Sequence, residues 1–522
     1  MFTPPPGVTV PFDSRWPDGS DDLPLNEPPL ARAPGASATS PDQVALTLVA
    51  NGSLVVRWAT GPGEVGAAAA SLRARPPPST VELGAAADAL TTTATSASPA
   101  TRYVQRYPGG TYTSPWLHAV RLPASALVSG SPFFYRVGSD EGGWSPVTQS
   151  MAPPTPGPSY PLTLAFVGDT GGTHNTSSTL AHVASSRPDA LVHVGDYTYA
   201  DLYAPDGGKA GAGAGPTTFQ PRWDGWGRLT SPLLATLPLA GVPGNHEQER
   251  DAAGAEWQAY THRWAPRDPA GDSATPSDSP LYYSTTIGPV HLVMINSYAP
   301  AGTGSAQRAW LEKDLAAVDR FLTPWLVAAF HAPWYTTSVA HYREVECTRA
   351  ALEPVLSAAG VDAVFAGHVH AYERTHRVLA HAPSLCGPPH VCIGDGGNAE
   401  RLYKRYVDGA GGGRGGGGDA PFCGALARRD GDSCAASAPG PYCSHTQAPW
   451  SAFREPSYGH GVLTVESPTR AAWTWHRNQD GVKVAADSVV FNRGGGECAG
   501  TRPAPAAAAA PAPPRRAGSA QG

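Results

Sequence analysis

Charge is scarce in this sequence. Of 522 residues only 15% are charged, against 41% hydrophobic, and the net charge is −6. No basic surplus is available to recruit nucleic acid or an anionic membrane. No apolar run approaches the roughly 18 residues that a membrane-crossing helix needs. Cysteine is sparse as well: seven residues and no CxxC pair, which excludes the usual spacing of a structural zinc site. The start, MFTPPPGVTVPFD, has neither the basic n-region nor the apolar h-region of a secretory leader.

Proline and glycine, by contrast, are plentiful, at 55 and 59 residues, and imply many loops. The length exceeds one ordinary hydrophobic core, so two domains are expected. Cys386, Cys392, Cys423, Cys434, Cys443 and Cys498 lie in or beside loop-like sequence, while Cys347 stands alone beside a helical pattern. The six read as disulfides of an oxidising compartment, with one thiol left over. Asn51 and Asn175 each open an Asn-x-Ser triplet and are glycosylation acceptors if the chain is secreted. Together these signals outweigh the missing leader. The expectation is a secreted, cell-wall or vacuolar protein whose start here is incomplete.

Residues 1–40 read as an extended arm. From residue 41 to 152, short runs such as VALTLVA (44–50), SLVVRWAT (53–60) and FFYRVG (133–138) alternate in part at period two between turn residues. They predict an immunoglobulin- or fibronectin-like β-sandwich. A MAPPTPGP linker (151–158) follows, and residues 153–500 change style. LTLAFVGD (162–169), ALVHVGD (190–196), PLAGVPGNH (238–246), HLVMIN (291–296), WLVAAFH (325–331) and AVFAGH (363–368) are continuous apolar strands. SAQRAWLEKDLAAVDR (305–320) and TRAALEPVLSAAG (348–360) are helices, the first with Ser305 as its cap. Strands alternating with helices predict an α/β domain. GGKAGAGAG (207–215) and DGAGGGRGGGGD (408–419) read as mobile inserts, and residues 501–522 as a disordered tail.

Five of those apolar runs end in metal-binding side chains. The set is Asp169, Asp196, Tyr199, Asn245, His331, His368 and His370, all at the strand ends where such sheets gather ligands. Each has an ordinary explanation in isolation: a turn Asp, a packed Tyr, a Gly-Asn turn, a core His. Asp196 repeats the apolar–Gly–Asp pattern of Asp169, and two neighbouring carboxylates need a cation or a proton between them. Tyr199 follows Asp196 by three, so a short turn can aim its phenol back, whereas Tyr197 points into the core. His368 and His370 are two apart in extended chain and project to the same side. Seven such ligands suit two cations sharing Asp196. His246 beside Asn245 then faces the substrate. Asp395, in IGDGGN, repeats the theme after the set is complete and reads as a turn.

The series GDTG, GDYTYAD, GNHE, FHAPWY and GHVHAYER resembles the purple acid phosphatases within the calcineurin-like metallophosphoesterases. SAFREPSYGHG (451–461) and WTWHRNQD (473–480) look like the C-terminal segments of that family. The resemblance covers roughly residues 41–500 and fits the two-domain plant type. It implies an α+β two-domain fold: a fibronectin-like β-sandwich, then a calcineurin-like α/β domain with a β-sandwich core flanked by helices. It also implies Fe(III) on Asp169, Asp196, Tyr199 and His370, and Zn, Mn or Fe(II) on Asp196, Asn245, His331 and His368. Asn245, His246 and His341 would contact substrate, with His246 and His341 catalytic. The plant type often has two adjacent histidines in the region of SVAHYREVEC (338–347). Here Ala340 replaces the first, His341 keeps the second, and Glu344 lies beyond.

The function implied is an acid phosphatase, cleaving phosphate monoesters by attack of a hydroxide bound to the Fe(III)–M(II) pair. AHYREVEC and the N-terminal arm are similar to a plant subgroup active on phytate. The alternatives are a nucleotide phosphodiesterase or pyrophosphatase on the same centre, or a non-catalytic phosphate-binding homologue. The partners implied are small phosphate esters, with neither nucleic acid nor membrane, and a homodimer.

Overall fold

Strand burial separates some strands by sequence style, although Leu54–Thr60 of the N-terminal region is buried throughout. Thr80–Gly84 alternates half-buried and buried positions, whereas Ala190–His193, Trp325–Ala329 and Ala363–Ala366 are buried throughout. The first pattern fits a sheet with one wet face and the second a sheet covered on both faces. The computed structural model describes residues 21–49, 53–66, 75–96, 98–107, 110–210, 217–264, 266, 277, 279–408, 447–479 and 482–493. Most of both glycine-rich inserts, the C-terminal tail, Asn51, Cys423, Cys434, Cys443 and Cys498 lie outside the described residues.

A nine-stranded sheet runs in the order Val482–Asn492, Arg470–Gln479, Gly459–Val465, Leu162–Val167, Ala190–His193, Leu239–Gly241, Asp42–Leu48, Leu54–Thr60, Trp116–Arg121. The last three strands come from the N-terminal β-rich region. They join the sheet where Thr47 pairs in parallel with Leu239. Val81, Leu83, Phe133, Tyr135 and Val137 of a separate five-stranded sheet share one apolar cluster with Leu46, Leu54, Val56, Trp58 and Val120. This is the sandwich expected at the N-terminus.

An eight-stranded sheet carries Tyr283–Ile287, Val290–Met294, Trp325–Ala329, Ala363–Ala366 and Pro389–Ile393, with Tyr372–Leu379 and its neighbours beyond. It meets the nine-stranded sheet through aromatic rings. Phe166 stacks on Phe365 at 3.9 Å between centroids, and Trp473 lies 4.9 Å from Phe365. Such pairs add about 0.5–1.5 kcal/mol beyond area burial. Two sheets face to face with flanking helices give the α/β architecture, with a β-sandwich core, expected for this part of the chain.

Thr173 Oγ1 caps the helix His174–Ser186 by accepting from Thr176 N, and Ser305 Oγ caps Ala306–Ala317 by accepting from Arg308 N. Glu346–Ala359 ends at Gly360 in the left-handed region. Two further helices have no strong sequence signature: Pro221–Leu234 and Gln258–Arg263. The first contains Gly225, Gly227 and Pro232, poor helix formers. Burial of Trp223, Trp226 and Leu229 outweighs that propensity. Residues 21–40 of the arm are irregular but packed, with Leu23 and Leu30 buried against Leu180 and Leu229. No helix among the described residues is long and apolar enough to cross a membrane.

The cysteines correct two expectations, because Cys347, set apart from the bridged six, is bonded and one of those six is free. Cys347 and Cys386 are each disulfide-bonded. Cys392, placed among the bridged residues from sequence, is instead a buried free thiol in Pro389–Ile393. Its Sγ faces the carbonyl oxygens of Gly367 and Val369 at 3.4 and 3.6 Å, inside the sheet rather than on a loop.

His118 gives the N-terminal unit a measurable acid sensitivity. Its ring stacks on Trp58 at 4.8 Å and bonds Thr60 and Ser79, both at 2.8 Å. Burial pushes its pKa down to about 3, against about 6.5 in an unfolded chain. In that window the unfolded chain takes up a proton that the folded chain refuses. The contribution is therefore full above about pH 6.5 and lost as pH falls toward 3. His118→Gln should show a smaller drop in urea midpoint between about pH 7 and about pH 4 than the parent chain. An equal drop in both would contradict this account.

Candidate metal centre

The parallel strands Leu162–Val167, Ala190–His193 and Leu239–Gly241 are in register, Val167 with His193 and His193 with Gly241. Their carboxyl ends therefore deliver Asp169, Asp196 and Asn245 side by side. In the facing sheet, Ala329 pairs with Phe365, which brings His331 and His368 together. The two rows meet at Asp196.

The backbone at these ends is left-handed. Asp169, Asp196, Tyr199 and His368 have φ of 57°, 56°, 53° and 68°. Each such residue costs about 1–3 kcal/mol and persists where its surroundings fix it. Glycines make the close approach feasible. A Cβ on Gly195 would lie 2.4 Å from His331 Nδ1, and one on Gly244 2.1 Å from Asp196 Oδ1. Glu247 pins the region, accepting from Asp196 N at 2.8 Å, Tyr197 N at 2.9 Å and Gly244 N at 2.7 Å.

One cluster surrounds His331 Nε2. Asp196 Oδ2 is 3.0 Å away, Asn245 Oδ1 3.1 Å and His368 Nδ1 3.2 Å. His331 Nδ1 donates to the Val194 carbonyl at 2.8 Å. A neutral imidazole so fixed presents a lone pair on Nε2. Lone pairs converging at this spacing need a positive charge among them. Asp196 Oδ2 and His368 Nε2, both buried, make no hydrogen bond within the protein. Burial opposes charge on His331, but Asp196 and Asp169 outweigh it and hold the pKa at about 9. A proton there stands where a cation fits.

A second cluster surrounds Asp169. Tyr199 OH donates to Asp169 Oδ1 at 3.2 Å and lies 3.1 Å from His370 Nε2. His370 Nδ1 donates to the Arg401 carbonyl at 3.0 Å, so its Nε2 also faces the cluster as a lone pair. Burial, then Asp169 and Asp196, push the Tyr199 phenol well above its usual pKa. Only a strong Lewis acid would ionise it. Asp196, despite burial, is held well below the carboxylate range by His331 and His246. Tyr197 points away, stacked on His193 at 4.0 Å. The donors are oxygen and nitrogen throughout, the set that divalent zinc, manganese and iron prefer.

His246 sits at the edge. Burial works against its charge, yet Asp201 and Asp196 raise its pKa well above the usual value. Its Nδ1 lies 2.7 Å from Asp201 Oδ1, and its Nε2 3.7 Å from Glu400 Oε2. His341 packs on His368 with centroids 3.8 Å apart, and its Nδ1 pairs with Glu344 Oε2. That same oxygen is 3.5 Å from His368 Nε2. Every ligand and substrate-facing residue expected from sequence thus converges here. Asn175 lies apart, in the first turn of His174–Ser186. Asp395 is buried and accepts from Trp475 Nε1 at 2.8 Å, a packing role.

Sequence reasoning missed Asp201, Glu247, Tyr298, Glu400 and Tyr403. Tyr298 OH donates to Asn245 Oδ1 at 3.1 Å, and Tyr403 stacks on His370 at 4.3 Å. Asp201 and Glu247 stood inside the motifs GDYTYAD and GNHE. Glu400 and Tyr403 follow a glycine turn with no pattern to announce them.

Comparison with known proteins gives the chain its relatives. The calcineurin-like phosphoesterase family model matches residues 162–372, and that of the iron/zinc purple acid phosphatase-like protein C matches residues 432–487. Purple acid phosphatase 15 of Arabidopsis thaliana is 36% identical over 511 residues, covering 94% of this chain and 92% of its own. Purple acid phosphatase 23 of the same plant is 39% identical over 416 residues, covering 77% and 88%. The solved structure of purple acid phosphatase PPD1 from yellow lupin (Lupinus luteus) seeds superimposes with a TM-score of 0.60 at 19% identity, covering 87% of this chain and 74% of that one.

Asp196→Ala should remove the carboxylate that faces His331 and that the sequence reading shares between two cations. Elemental analysis of the purified variant should find neither cation at meaningful occupancy. Retention of a full pair would show that Asp196 does not bridge.

Proposed function

The chain belongs to the purple acid phosphatases within the calcineurin-like phosphoesterases, and on that premise we propose how its residues perform metal-dependent hydrolysis of phosphate monoesters. One observation supports the reading above others: the Asp196 carboxylate, carried at a strand end of the nine-stranded sheet, clusters with His331 and His368 at strand ends of the facing sheet. Asp169, Tyr199 and His370 would hold Fe(III). Asn245, His331 and His368 would hold Zn, Mn or Fe(II), with Asp196 common to both. The pair, when bound, acidifies water and offsets the charge of the ester.

The remaining work belongs to side chains. His246, kept cationic by Asp201, binds phosphate oxygens and stabilises charge that develops on the transferred group. Asn245 turns Oδ1 toward His331, which leaves its amide N–H groups for the substrate. His341 Nδ1 is occupied by Glu344. Its Nε2 is then the atom that hands a proton to the departing alkoxide.

Phytate belongs to the proposed substrate range, on the similarity of the AHYREVEC segment to phytate-active relatives. The chain is read as secreted, cell-wall or vacuolar, in keeping with bridged Cys347 and Cys386. Glycosylation at Asn51 and Asn175, and a homodimer, complete the proposal.

Two variants test the reading. Tyr199→Phe should abolish phenolate-to-iron absorption in the visible range while most iron is retained, and persistent colour would refute the ligand assignment. His341→Ala should slow hydrolysis of alkyl phosphates by about 10²–10⁴-fold with metal content preserved. Nitrophenyl phosphate, whose leaving group needs no proton, should be slowed far less. Equal slowing of both would remove His341 from the role of acid. A marked preference of the parent enzyme for diesters over monoesters would favour a phosphodiesterase instead.

A further inference from the structure

The segment ahead of the first strand reaches both ligand loops. Asp22 forms a backbone bridge with Thr173, and Leu23 N donates to Gly172 O at 2.8 Å. It thus runs alongside the loop that leaves Asp169. The Asp22 side chain crosses to the other loop. Its Oδ2 accepts from Tyr203 OH, and its Oδ1 pairs with Arg222 Nη2 at 2.5 Å. The buried Arg222 guanidinium lies over the Tyr203 ring at 3.9 Å, and its Nε donates to the Thr198 carbonyl at 3.3 Å.

One carboxylate therefore closes a circuit around residues 198–203. That stretch contains Tyr199 and Asp201, the latter holding His246. Its own order is slight: a single turn, Ala200–Leu202, entered through Tyr199 at φ 53°. A left-handed Tyr persists only when its surroundings impose it. Arg222 grips the residue immediately before Tyr199, and a buried guanidinium holds its place only while its counter-charge is present.

We propose that Asp22 is a positioning residue for the metal centre. Through Arg222 and Tyr203 it fixes the loop that presents Tyr199 and Asp201, so the N-terminal arm is part of the site's scaffold. The proposal rests on the assignment of those two residues to the site.

The test uses the full chain with Asp22→Ala and Asp22→Glu. In metal-free Asp22→Ala, amide hydrogen exchange over residues 198–203 should accelerate severalfold, while the strand Trp325–Ala329 is unaffected. In the metal-loaded variant kcat should fall roughly ten- to a hundredfold, with KM little changed and iron retained. Asp22→Glu should recover part of the loss. If Asp22→Ala does not fold, Asp22→Asn, which keeps shape and removes charge, is read in the same way. Unchanged exchange at 198–203, exchange raised equally everywhere, or a parental kcat with a loosened loop would each overturn the proposal. A parent enzyme without visible colour would fail the Tyr199 assignment, yet the exchange result would still decide the role of Asp22.

Discussion

A carboxylate sealed from water must find positive charge, and Asp196 is such a carboxylate, 1% exposed where two sheets meet. Much of the surrounding architecture answers that demand. Glu247 clamps its backbone, His246 N donates to Oδ1, and His331 stands against Oδ2. Imidazole nitrogens and an amide oxygen complete the ring. Apolar packing alone would never retain this arrangement. Replacing it with hydrophobic side chains would relieve both the desolvation and the strained backbone.

The fold makes the site through register. Parallel strands ending together place Asp169, Asp196 and Asn245 in one row, and the facing sheet supplies His331 and His368. Aromatic contacts such as Phe166 on Phe365 hold the sheets at a fixed separation, and so hold the two rows. Rigidity then passes outward through carbonyl acceptors. Val194 and Arg401 each take the N–H on the far side of an imidazole, that of His331 and that of His370. These contacts decide which nitrogen faces the centre. The N-terminal arm extends the same logic, since the half-buried Asp22 carboxylate touches the loop that carries the phenol.

The strand-end cluster was legible in the sequence because a buried strand is a continuous apolar run. A polar residue closing several such runs has few structural reasons to recur. Helices with a cap and a stripe, such as Ala306–Ala317, were legible for the same reason of periodicity. Pro221–Leu234 was not, because its glycines and proline hide a face whose tryptophans bury only in the tertiary structure. Glu400 and Tyr403 have no pattern at all, and their place depends on a loop folding back over His370. Cys392 misled because its neighbours look like loop while its own position lies in a buried strand. What is local or periodic can be read in advance, and what depends on chain return cannot.

Anomalous diffraction from crystals of the active, as-purified enzyme addresses the central claim most directly. The account predicts two peaks about 3.5–4 Å apart, with the Asp196 carboxylate between them, one beside Tyr199 and the other beside His331. Crystals of fully active protein that show no peak at Asp196, or a lone peak on one side of it, would contradict the shared-carboxylate centre on which this reading is built.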